Sequence, residues 1–347
     1  MIDSETEEVV FLGDVFLPNA VSAELPYEHV VINLESPITT SEEGVPGKVN
    51  LKSSQNHLPN VFGNSLLAVC LANNHISDYD AAGLADTLRH LNSMGVKSYG
   101  VGETQESAAA HLLITVAGKK VALLGCVSAT TSPLVANDQR PGVALIDRSR
   151  VKSEIARARA AGADHVVVTY HWGAEHVPLP TVTDIETARH TIEDGADVVI
   201  GHHAHCIQSS ETYNRKRIFF GIGNCIFPNL DTPSYFRQKD KTPTRRFRMR
   251  QERWNKTSLA IRLNVVSGEI RTDKLFFSGD KLRVLKADIR PFRFSHGVGT
   301  IYTAIFHAVF FLAKLRRILM NFLRNPKIPR LKHLRGILKL AGTRKYS

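Results

Sequence analysis

Five apolar segments of the 347-residue sequence end in side chains that can bind a metal ion or transfer a proton. Apolar runs of this length are typical of strands buried on both faces. Their polar ends are Gly13-Asp14, Asn33-Leu34-Glu35, Asn73-Asn74-His75, His171-Trp172-Gly173 and His202-His203-Ala204-His205. Because the carboxyl ends of the strands in an open α/β sheet share one edge, residues far apart in the chain can meet there. Two carboxylates, an amide oxygen and several imidazoles would then form one site.

The mixture of ligand types indicates which metals this site would take. Imidazole and carboxylate together favour Mn, Zn, Fe or Co, whereas Mg and Ca prefer shells made of oxygen alone. A carboxylate that bridges two such ions makes a hydrolytic two-metal site. The sequence therefore predicts one or two divalent metal ions.

The segments that must position these side chains alternate with helical patterns. The strand-like runs are 8–14, 29–35, 66–75, 120–127, 165–173, 197–205 and 217–224, and the helical patterns are 81–94, 148–161 and 183–194. Strands that alternate with helices predict a layered α/β fold. Two further β-rich runs around a Ser-Gly pair, within 258–277, predict a hairpin that closes the sheet.

The charge of the chain is concentrated at one end. The net charge is +11, yet residues 289–347 hold 13 Lys and Arg and no Asp or Glu, so residues 1–288 carry a net charge of −2. The basic charge therefore lies in a tail rather than on a folded face, and the sequence predicts no specific nucleic-acid partner. We expect a globular domain at 1–288 and a basic amphipathic tail at 289–347.

The tail contains a 23-residue apolar stretch, 301–323, that three basic residues interrupt. About 13 uninterrupted residues are too few to span a bilayer, which takes about 20. Basic residues among Phe, Leu and Ile are typical of a helix that lies on an anionic membrane surface. A tail that docks on a protein partner and a solvated tail are the alternatives.

A second basic segment, 237–256, lies inside the predicted domain. It has nine basic and two acidic residues and no apolar periodicity, which predicts an exposed loop. One interpretation is a solvated insertion. A second is a funnel for an anionic polymer or phosphorylated sugar, in which Arg245 and Arg246 bind carboxylate or phosphate groups, and a third is a non-specific contact with nucleic acid.

The cysteines and the first residues bear on location. The four cysteines have no CxxC spacing, and the acidic start of the chain lacks the pattern of a signal peptide. We therefore expect a reducing compartment, with the protein cytoplasmic and peripheral at the inner face of the membrane.

The motifs, taken in order, resemble a known family. The runs GDVFLPN, NLESPIT, LANNHISDYDAAGLADTLRHLNSMGVKSYGVG, HWGAEHVPLP, GADVVIGHHAHCIQ and FFGIGN, between residues 8 and 230, resemble those of the CapA-type capsule and poly-γ-glutamate biosynthesis proteins. Those proteins share the calcineurin-like metallophosphoesterase fold. The resemblance implies a phosphatase-like layered α/β fold in which helices flank a β-sandwich core.

The resemblance also implies a role for each matching residue. It places Asp14 and His205 on a first metal, Glu35 as the bridge, and Asn74, His171 and His203 on a second metal, with His75 as the group that protonates the leaving group. Positions next to these would support the site or contact substrate, and they are Asn73, His202, Trp172 as a wall of the pocket, and Gly173, where the backbone turns close to the metal.

Three residues depart from the wider phosphoesterase pattern. Phe16 stands where that pattern has a histidine, which implies a weaker first metal site. Glu35 replaces a bridging Asp and has a longer side chain. Asp80 stands where the family usually has Gly, a change that concerns the local backbone rather than the metal site.

Two functions follow as hypotheses. The first is a metal-dependent hydrolase or phosphoesterase of capsule or surface-polymer biosynthesis, acting on an anionic polymer or its phosphorylated precursor. The second is a metal-containing binding or assembly factor, without turnover, that recognises such a polymer beside its synthase. Phe16 favours the second.

Overall fold

The structure is a computed structural model that describes residues 6–131, 133–234, 245–288 and 299–324. The strands, in chain order, are β1 Glu8–Val15, β2 Ser22–Glu24, β3 Val30–Leu34, β4 Leu66–Cys70, β5 Lys97–Tyr99, β6 Val101–Gly102, β7 Leu112–Val116, β8 Lys119–Val127, β9 Gly142–Val143, β10 His165–His171, β11 Val198–His202, β12 Ser210–Tyr213, β13 Lys216–Phe219, β14 Asn224–Ile226, β15 Leu230–Ser234, β16 Arg245–Met249, β17 Thr257–Asn264, β18 Ile270–Ser278 and β19 Lys281–Lys286. The helices are α1 Leu58–Phe62, α2 Asp80–Ser93, α3 Gln105–Ala109, α4 Arg148–Ala160, α5 Val182–Glu193 and α6 Thr300–Arg324.

Two large sheets contain most of the strands. The first has the order β2-β19-β18-β17-β1-β3-β4-β5, with β14 paired to the end of β1, and the second has the order β12-β13-β11-β10-β8-β7. Strands β1, β3, β4 and β5 run parallel in the first sheet, as do β8, β10, β11 and β13 in the second. Each sheet therefore presents several carboxyl ends at one edge.

The two sheets pack face to face, with helices outside. Phe11 of β1 and Val31 of β3 share an apolar cluster with Leu123 of β8 and Val167 of β10, all nearly inaccessible to solvent. Helices α1 and α2 cover the outer face of the first sheet, and α3, α4, α5 and α6 cover that of the second. The predicted layered α/β fold, with a β-sandwich core flanked by helices, is confirmed.

The predicted elements agree closely with the observed ones. The three predicted helices correspond to α2, α4 and α5, whose ends differ from the prediction by at most one residue. A capping box begins α5, since the Thr181 side chain accepts a hydrogen bond from the backbone of Asp184 and the Asp184 side chain accepts one from Thr181. The predicted hairpin is formed by β17 and β18, and β17 pairs with β1 in the first sheet.

The prediction of an exposed loop over 237–256 is wrong for its second half. Residues 245–249 form β16, which pairs antiparallel with β15, and Asn255 is buried in the 3₁₀ turn Arg253–Lys256. Because apolar residues alternate with arginines in this strand, the arginine count hid its strand pattern. Residues 237–244 lie outside the described part of the chain.

Helix α6 packs along the body of the protein. Tyr302, Phe306 and Phe310 are buried in the cluster that covers the second sheet, and the Tyr302 hydroxyl donates a hydrogen bond of 2.7 Å to the carbonyl oxygen of Pro180. The boundary predicted after residue 288 adjoins residues 289–298, which the structure does not describe, and it stays a prediction. In the described residues, no helix is long and apolar enough to cross a membrane.

Candidate metal centre

Three of the predicted ligands come from the carboxyl ends of parallel strands. Asp14 is the penultimate residue of β1, Glu35 directly follows β3, and His171 is the last residue of β10. Their side chains are at most 1% exposed. The first two lie on one sheet and His171 on the other, so the centre lies where the edges of the two sheets meet.

The connection that follows β11 supplies two more imidazoles. His203 and His205 have φ angles of 81° and 52°, in the left-handed region that residues other than Gly and Asn rarely adopt. Strained backbone of this kind is concentrated at functional sites. The conformation places both rings at the centre, where they are about 95% buried.

The ligand atoms form two groups that share one carboxylate. One group consists of Asp14, Glu35 and His205, and the other of Glu35, His171 and His203. Within each group the atoms that can bind a metal lie within 4.8 Å of one another. We call them the first half and the second half of the centre, and Glu35 belongs to both.

Hydrogen bonds orient the ligands of the first half. Asp14 Oδ1 accepts bonds from Asn33 Nδ2 at 2.8 Å and from His202 Nδ1 at 2.7 Å. His205 Nδ1 bonds to Asn224 Oδ1 at 2.8 Å, and His205 Nε2 lies 3.6 Å from Glu35 Oε1. Because Asn224 holds Nδ1, Nε2 is the His205 nitrogen that faces Glu35 and would bind a metal once its proton is displaced.

The second half brings two imidazoles together. His171 Nε2 lies 3.0 Å from His203 Nδ1, 2.7 Å from Asn74 Oδ1 and 3.5 Å from Glu35 Oε1. Three candidate ligand atoms thus lie within 3.5 Å of His171 Nε2. The structure thus brings Asn74, His171 and His203 together, as the sequence predicts. Their roles as metal ligands stay a prediction.

The side chain of Glu35 tests whether these residues fit divalent cations. It is fully buried, and neither carboxylate oxygen has a hydrogen-bond partner among the described residues. Asp14 Oδ2 is also buried without such a partner. Burying carboxylate oxygens without hydrogen bonds is costly unless a cation compensates them. The donor set therefore fits one or two borderline divalent metals.

The two halves differ in their titration. Burial alone would lower the pKa of His205, but the carboxylates of Glu35 and Asp14 raise it to about 10. In the second half, burial lowers the pKa of His203 to about 4, and burial together with the His203 charge lowers that of His171. At neutral pH the first half therefore holds an imidazolium, and the second half holds neutral imidazoles.

Glu35 and Asp14 are both buried, but their pKa values shift in opposite directions. Burial raises the pKa of Glu35 well above its usual range. Burial also tends to raise the pKa of Asp14, but the hydrogen bonds and charges of His202 and His205 hold it well below its usual range. Asp14 is therefore ionised, while Glu35 gains most from a nearby cation.

His75, the predicted acid, lies beside the centre and is fixed by a carboxylate. Its Nδ1 is 2.6 Å from Asp78 Oδ2, and Asp78 is fully buried. Because Nδ1–H donates to Asp78, Nε2 is the nitrogen available for proton transfer. The backbone N–H of His75 donates to Asn73 Oδ1 at 3.1 Å, which fixes the turn that carries it.

A cavity of about 470 Å³ lies against the two halves. His75, His203 and His205 line it, together with Asn74 and Glu175. This volume is typical of pockets for small molecules. Because His75 and ligands from both halves face it, the cavity is the candidate substrate site.

Several predicted supporting residues lie close to the ligands. Asn73 Nδ2 donates to Asn33 Oδ1 at 3.1 Å and to the carbonyl oxygen of Leu34 at 2.8 Å, which ties the loop after β4 to β3. Gly173 has a φ of 80°, and a Cβ there would lie 2.9 Å from Asp184 Oδ2. The positive φ and the nearby start of α5 both require glycine at this turn, and the predicted approach of the backbone to a metal stays a prediction.

Trp172 does not line the pocket. It is 1% exposed, stacks on Tyr170 with ring centroids 4.6 Å apart, and donates from Nε1 to the carbonyl oxygen of Phe220 at 2.9 Å. The prediction that Trp172 forms a pocket wall is therefore wrong. Successive side chains of an extended segment point to opposite faces, so His171 faces the metal centre and Trp172 faces the core.

Arg246 is not part of the pocket either. It donates from Nε to Asp231 Oδ1 at 2.6 Å in an exposed ion pair on the β15–β16 ribbon. The predicted substrate contact of Arg246 is therefore not supported by its position, and Phe247 and Met249 of the same strand line the cavity instead. The side chain of Arg245 lies outside the described part of the structure.

The departures from the phosphoesterase pattern have clear local consequences. Phe16 is 4% exposed and packs on Phe227 with ring centroids 5.5 Å apart, so an apolar pair takes the place of a histidine ligand. Asp80 has a φ of 58°, in the left-handed region that Gly adopts easily and Asp tolerates. The backbone at residue 80 thus has the conformation that the glycine of the family would favour.

Sequence reasoning missed three polar residues that support the centre. Asn33 bonds to Asp14, Asp78 to His75, and Asn224 to His205. Each lies in a motif that carries a ligand or follows a strand, because Asn33 precedes Glu35, Asp78 follows His75 by three residues, and Asn224 ends the FFGIGN run. Polar residues within motifs of this kind were the available signal.

Comparisons with known proteins agree with the motifs. The chain is 28% identical over 207 residues to the capsule biosynthesis protein CapA of Bacillus anthracis, covering 58% of this chain and 50% of that protein. It is 29% identical over 203 residues to the PGA biosynthesis protein CapA of Bacillus subtilis (strain 168), covering 58% and 53%. It is 31% identical over 208 residues to a probable polyglutamine synthesis accessory protein of Mycobacterium tuberculosis (strain CDC 1551 / Oshkosh), covering 56% and 54%.

The chain spans about half the length of these curated relatives. A family model described as bacterial capsule synthesis protein PGA_cap matches residues 10–229, which include every residue of the two halves and His75. This match covers more than half of the chain, and the protein therefore belongs to the PGA_cap family of bacterial capsule synthesis proteins.

Proposed function

We propose that this protein is a metal-dependent phosphoester hydrolase that acts in the synthesis of a capsule or similar anionic surface polymer. The observation that carries the proposal is the fully buried Glu35 carboxylate, whose oxygens have no hydrogen-bond partner in the described residues and which lies between two groups of ligands. A poly-γ-glutamate-like polymer, or its phosphorylated precursor, is the proposed substrate class. The similarity to a PGA biosynthesis protein and to a probable polyglutamine synthesis accessory protein supports the polymer.

The residues divide into binding and proton-transfer roles. Asp14, Glu35 and His205 would hold one ion, and Glu35, Asn74, His171 and His203 would hold another. When bound, such ions activate water and polarise a phosphoryl oxygen. His202 and Asn33 keep the Asp14 carboxylate oriented through their hydrogen bonds.

His75 is the proposed general acid. Asp78 holds Nδ1, so the proton that passes to the leaving oxygen is on Nε2. The His75 ring lines the cavity beside the ligands, and the leaving group would lie in that cavity. An acid in this role typically contributes about 100-fold or more to the rate.

The test uses the whole chain, because α6 packs into the apolar cluster on the second sheet. Bound metal is measured by elemental analysis, and hydrolysis of bis(p-nitrophenyl) phosphate and p-nitrophenyl phosphate is measured with Mn²⁺. We expect His203→Ala to lose the ion of the second half and turnover, and His75→Ala to keep all bound metal and lose about 100-fold or more in kcat. His90→Ala, an exposed change on α2, is the matched control.

The second candidate is a binding or assembly factor without turnover, beside a polymer synthase. Phe16 favours it, because the first half has three protein ligands and an apolar pair where the phosphoesterase pattern has a histidine. Stoichiometric metal without cleavage of either ester would support this candidate against the hydrolase. Metal-dependent cleavage that both His75→Ala and His203→Ala abolish would exclude it.

We also propose that α6 places the protein on an anionic membrane surface. Its outward side exposes several large apolar residues, most of them separated by three, four or seven positions, and they are Ile301, Ile305, Phe311, Leu312, Leu315 and Leu319. A stripe of this kind beside basic side chains is typical of helices that lie in a membrane interface. A cytoplasmic position at the inner membrane face remains part of this proposal.

Co-sedimentation with vesicles that contain phosphatidylglycerol tests the membrane proposal. Because Leu312 and Leu319 are exposed, changing both to Ser should leave the fold intact and weaken vesicle binding about tenfold or more. Leu285→Ser, which removes an exposed leucine from β19, is the matched control. Equal binding by the double variant and the control would refute the proposal.

A further inference from the structure

Helix α6 also contributes positive charge to the substrate cavity. Lys314 and Arg317, one turn apart on the helix, line the same cavity as His75 and His203. Lys48, from the segment before β4, lines it as well. Three cationic side chains therefore face the space beside the metal centre.

Two of these cations have carboxylate partners. Lys48 Nζ lies 2.6 Å from Asp78 Oδ1, and Arg317 Nη1 lies 3.7 Å from Glu175 Oε2. Arg317 Nη2 also lies 3.0 Å from the Met249 sulfur. These contacts balance the charges of Lys48 and Arg317 within the protein.

Lys314 has no such balance. Within the described residues its ammonium makes no ion pair or hydrogen bond, and it lies over the Phe310 ring, 5.3 Å from the ring centroid. Burial lowers the pKa of Lys314, although the charge of Glu175 acts against this. A partly buried cation without a partner gains free energy when an anion binds to it.

We propose that Lys314 forms an anion subsite that binds a second negatively charged group of the substrate, a carboxylate or a phosphate, while the reacting group binds at the metal centre. The inference rests on the proposed function for the identity of the reacting group. A lysine suits either anion, because its ammonium is a point charge on a flexible stem and does not require the planar geometry of an arginine contact. The cavity of about 470 Å³ has room for both groups.

The subsite gives α6 a role in the active site. Helix α6 would supply substrate selectivity, and the strand ends would supply the metal ligands. Substrates with a single anionic group would use the metal centre alone, and substrates with two would bind more tightly. The proposed polymer and its phosphorylated precursors carry several such groups.

The test measures binding of three phosphonates, which cannot be hydrolysed, to the full-length protein loaded with Mn²⁺, by calorimetry. Butylphosphonate has one anionic group, 4-phosphonobutyrate adds a carboxylate, and propane-1,3-diphosphonate adds a second phosphonate. We expect at least one of the two probes with a second anionic group to bind about tenfold more tightly than butylphosphonate. The probe with the larger gain identifies the group that the subsite prefers.

Variants of α6 assign the gain to Lys314. Lys314→Gln should abolish the preference for the probes with a second anionic group. Lys314→Arg should retain most of this preference, and Arg316→Gln should leave it unchanged. Arg316 is the matched control, because it lies on the same helix and pairs with Glu252 at 2.6 Å outside this cavity.

Three results would overturn the subsite: equal or absent binding of all three probes to the wild type, an unchanged preference in Lys314→Gln, or an equal loss in Arg316→Gln. The outcomes also separate the subsite from the hydrolase. A preference that depends on Lys314, in a protein that cleaves neither nitrophenyl ester, would support the subsite and refute the hydrolase. Ester cleavage without the preference would do the reverse.

Discussion

The two halves of the metal centre share Glu35 but are built differently. In the first half, Asp14 and His205 form a charged pair, 3.4 Å apart, that polar neighbours hold in place. In the second half, His171 and His203 are neutral rings in contact, and His171 Nδ1 has no hydrogen-bond partner among the described residues. The first half is therefore prepared by a charged pair and its polar neighbours, and the second by neutral imidazoles that contact each other and Asn74.

The two halves also differ in the protonation of their histidines at neutral pH. A metal that binds in the first half must displace the proton of His205, whose pKa is raised to about 10. The imidazoles of the second half have lowered pKa values and already offer lone pairs at neutral pH. Glu35, whose pKa burial raises, is common to both halves. We therefore expect the second half to bind its ion more tightly near neutral pH.

The largest effect is expected from Glu35→Gln, because this change removes the ligand that the halves share. The amide keeps the size of the side chain but loses the negative charge that would bridge two ions. We expect bound metal to fall from one or two ions per chain to almost none, with hydrolysis lost in parallel. Elemental analysis after gel filtration measures this loss. Retention of one tightly bound ion would show that the halves do not depend on a common carboxylate.

The next effect separates the halves. His203→Ala should remove the ion of the second half and leave the first half with its three ligands, whereas His205→Ala should do the opposite. Mn²⁺ titrations of the two variants should each show about one site. Because the second half is expected to be the tighter one, His203→Ala should leave the weaker site. The comparison fails if either variant loses both ions.

Part of the metal centre could be predicted from the sequence, and part could not. Asp14, Glu35 and His171 were predictable, since each stands at the end of its own strand, where local pattern and sheet geometry agree. The tautomer of His205 depends on Asn224, which comes from a different strand, and the Lys314 subsite depends on packing of Phe306 against the second sheet. Contacts of this kind are tertiary, and no local pattern contains them.

The position of Trp172 in the core, by contrast, could have been predicted from the sequence. The alternation of side chains along an extended segment was sufficient to place it opposite His171, so this error was avoidable. The ion pair between Arg246 and Asp231 was not predictable in the same way, because it depends on pairing between β15 and β16. The fold and the strand ends that carry the candidate ligands were thus available from the sequence, and the pairing that positions Arg246 was not.

A pH series of metal binding should distinguish the halves by about a hundredfold. The pKa of His205 is about 10, so below that pH each decrease of one pH unit lowers the fraction of unprotonated His205 about tenfold. The Mn²⁺ affinity of the His203→Ala variant should therefore fall about a hundredfold from pH 8 to pH 6. Any protonation of Glu35 adds to this fall in both variants. In the His205→Ala variant, His203 has a pKa of about 4 and is neutral throughout this range. Equal slopes in the two variants would refute the assignment of the proton to His205.

The smallest effect we expect comes from Asn33→Ala, which tests hydrogen bonding in the first half alone. Asn33 Nδ2 donates to Asp14 Oδ1 at 2.8 Å, and loss of a partner that orients a ligand typically lowers metal affinity about 10-fold or more. Because His202 still donates to the same oxygen, we expect a loss near the lower end of this range. Combined with His203→Ala, the change should weaken Mn²⁺ binding about tenfold, and combined with His205→Ala it should have little effect. A loss confined to the second combination would mean that Asn33 acts through Asn73 and the loop after β4, to which it is also bonded, rather than through Asp14.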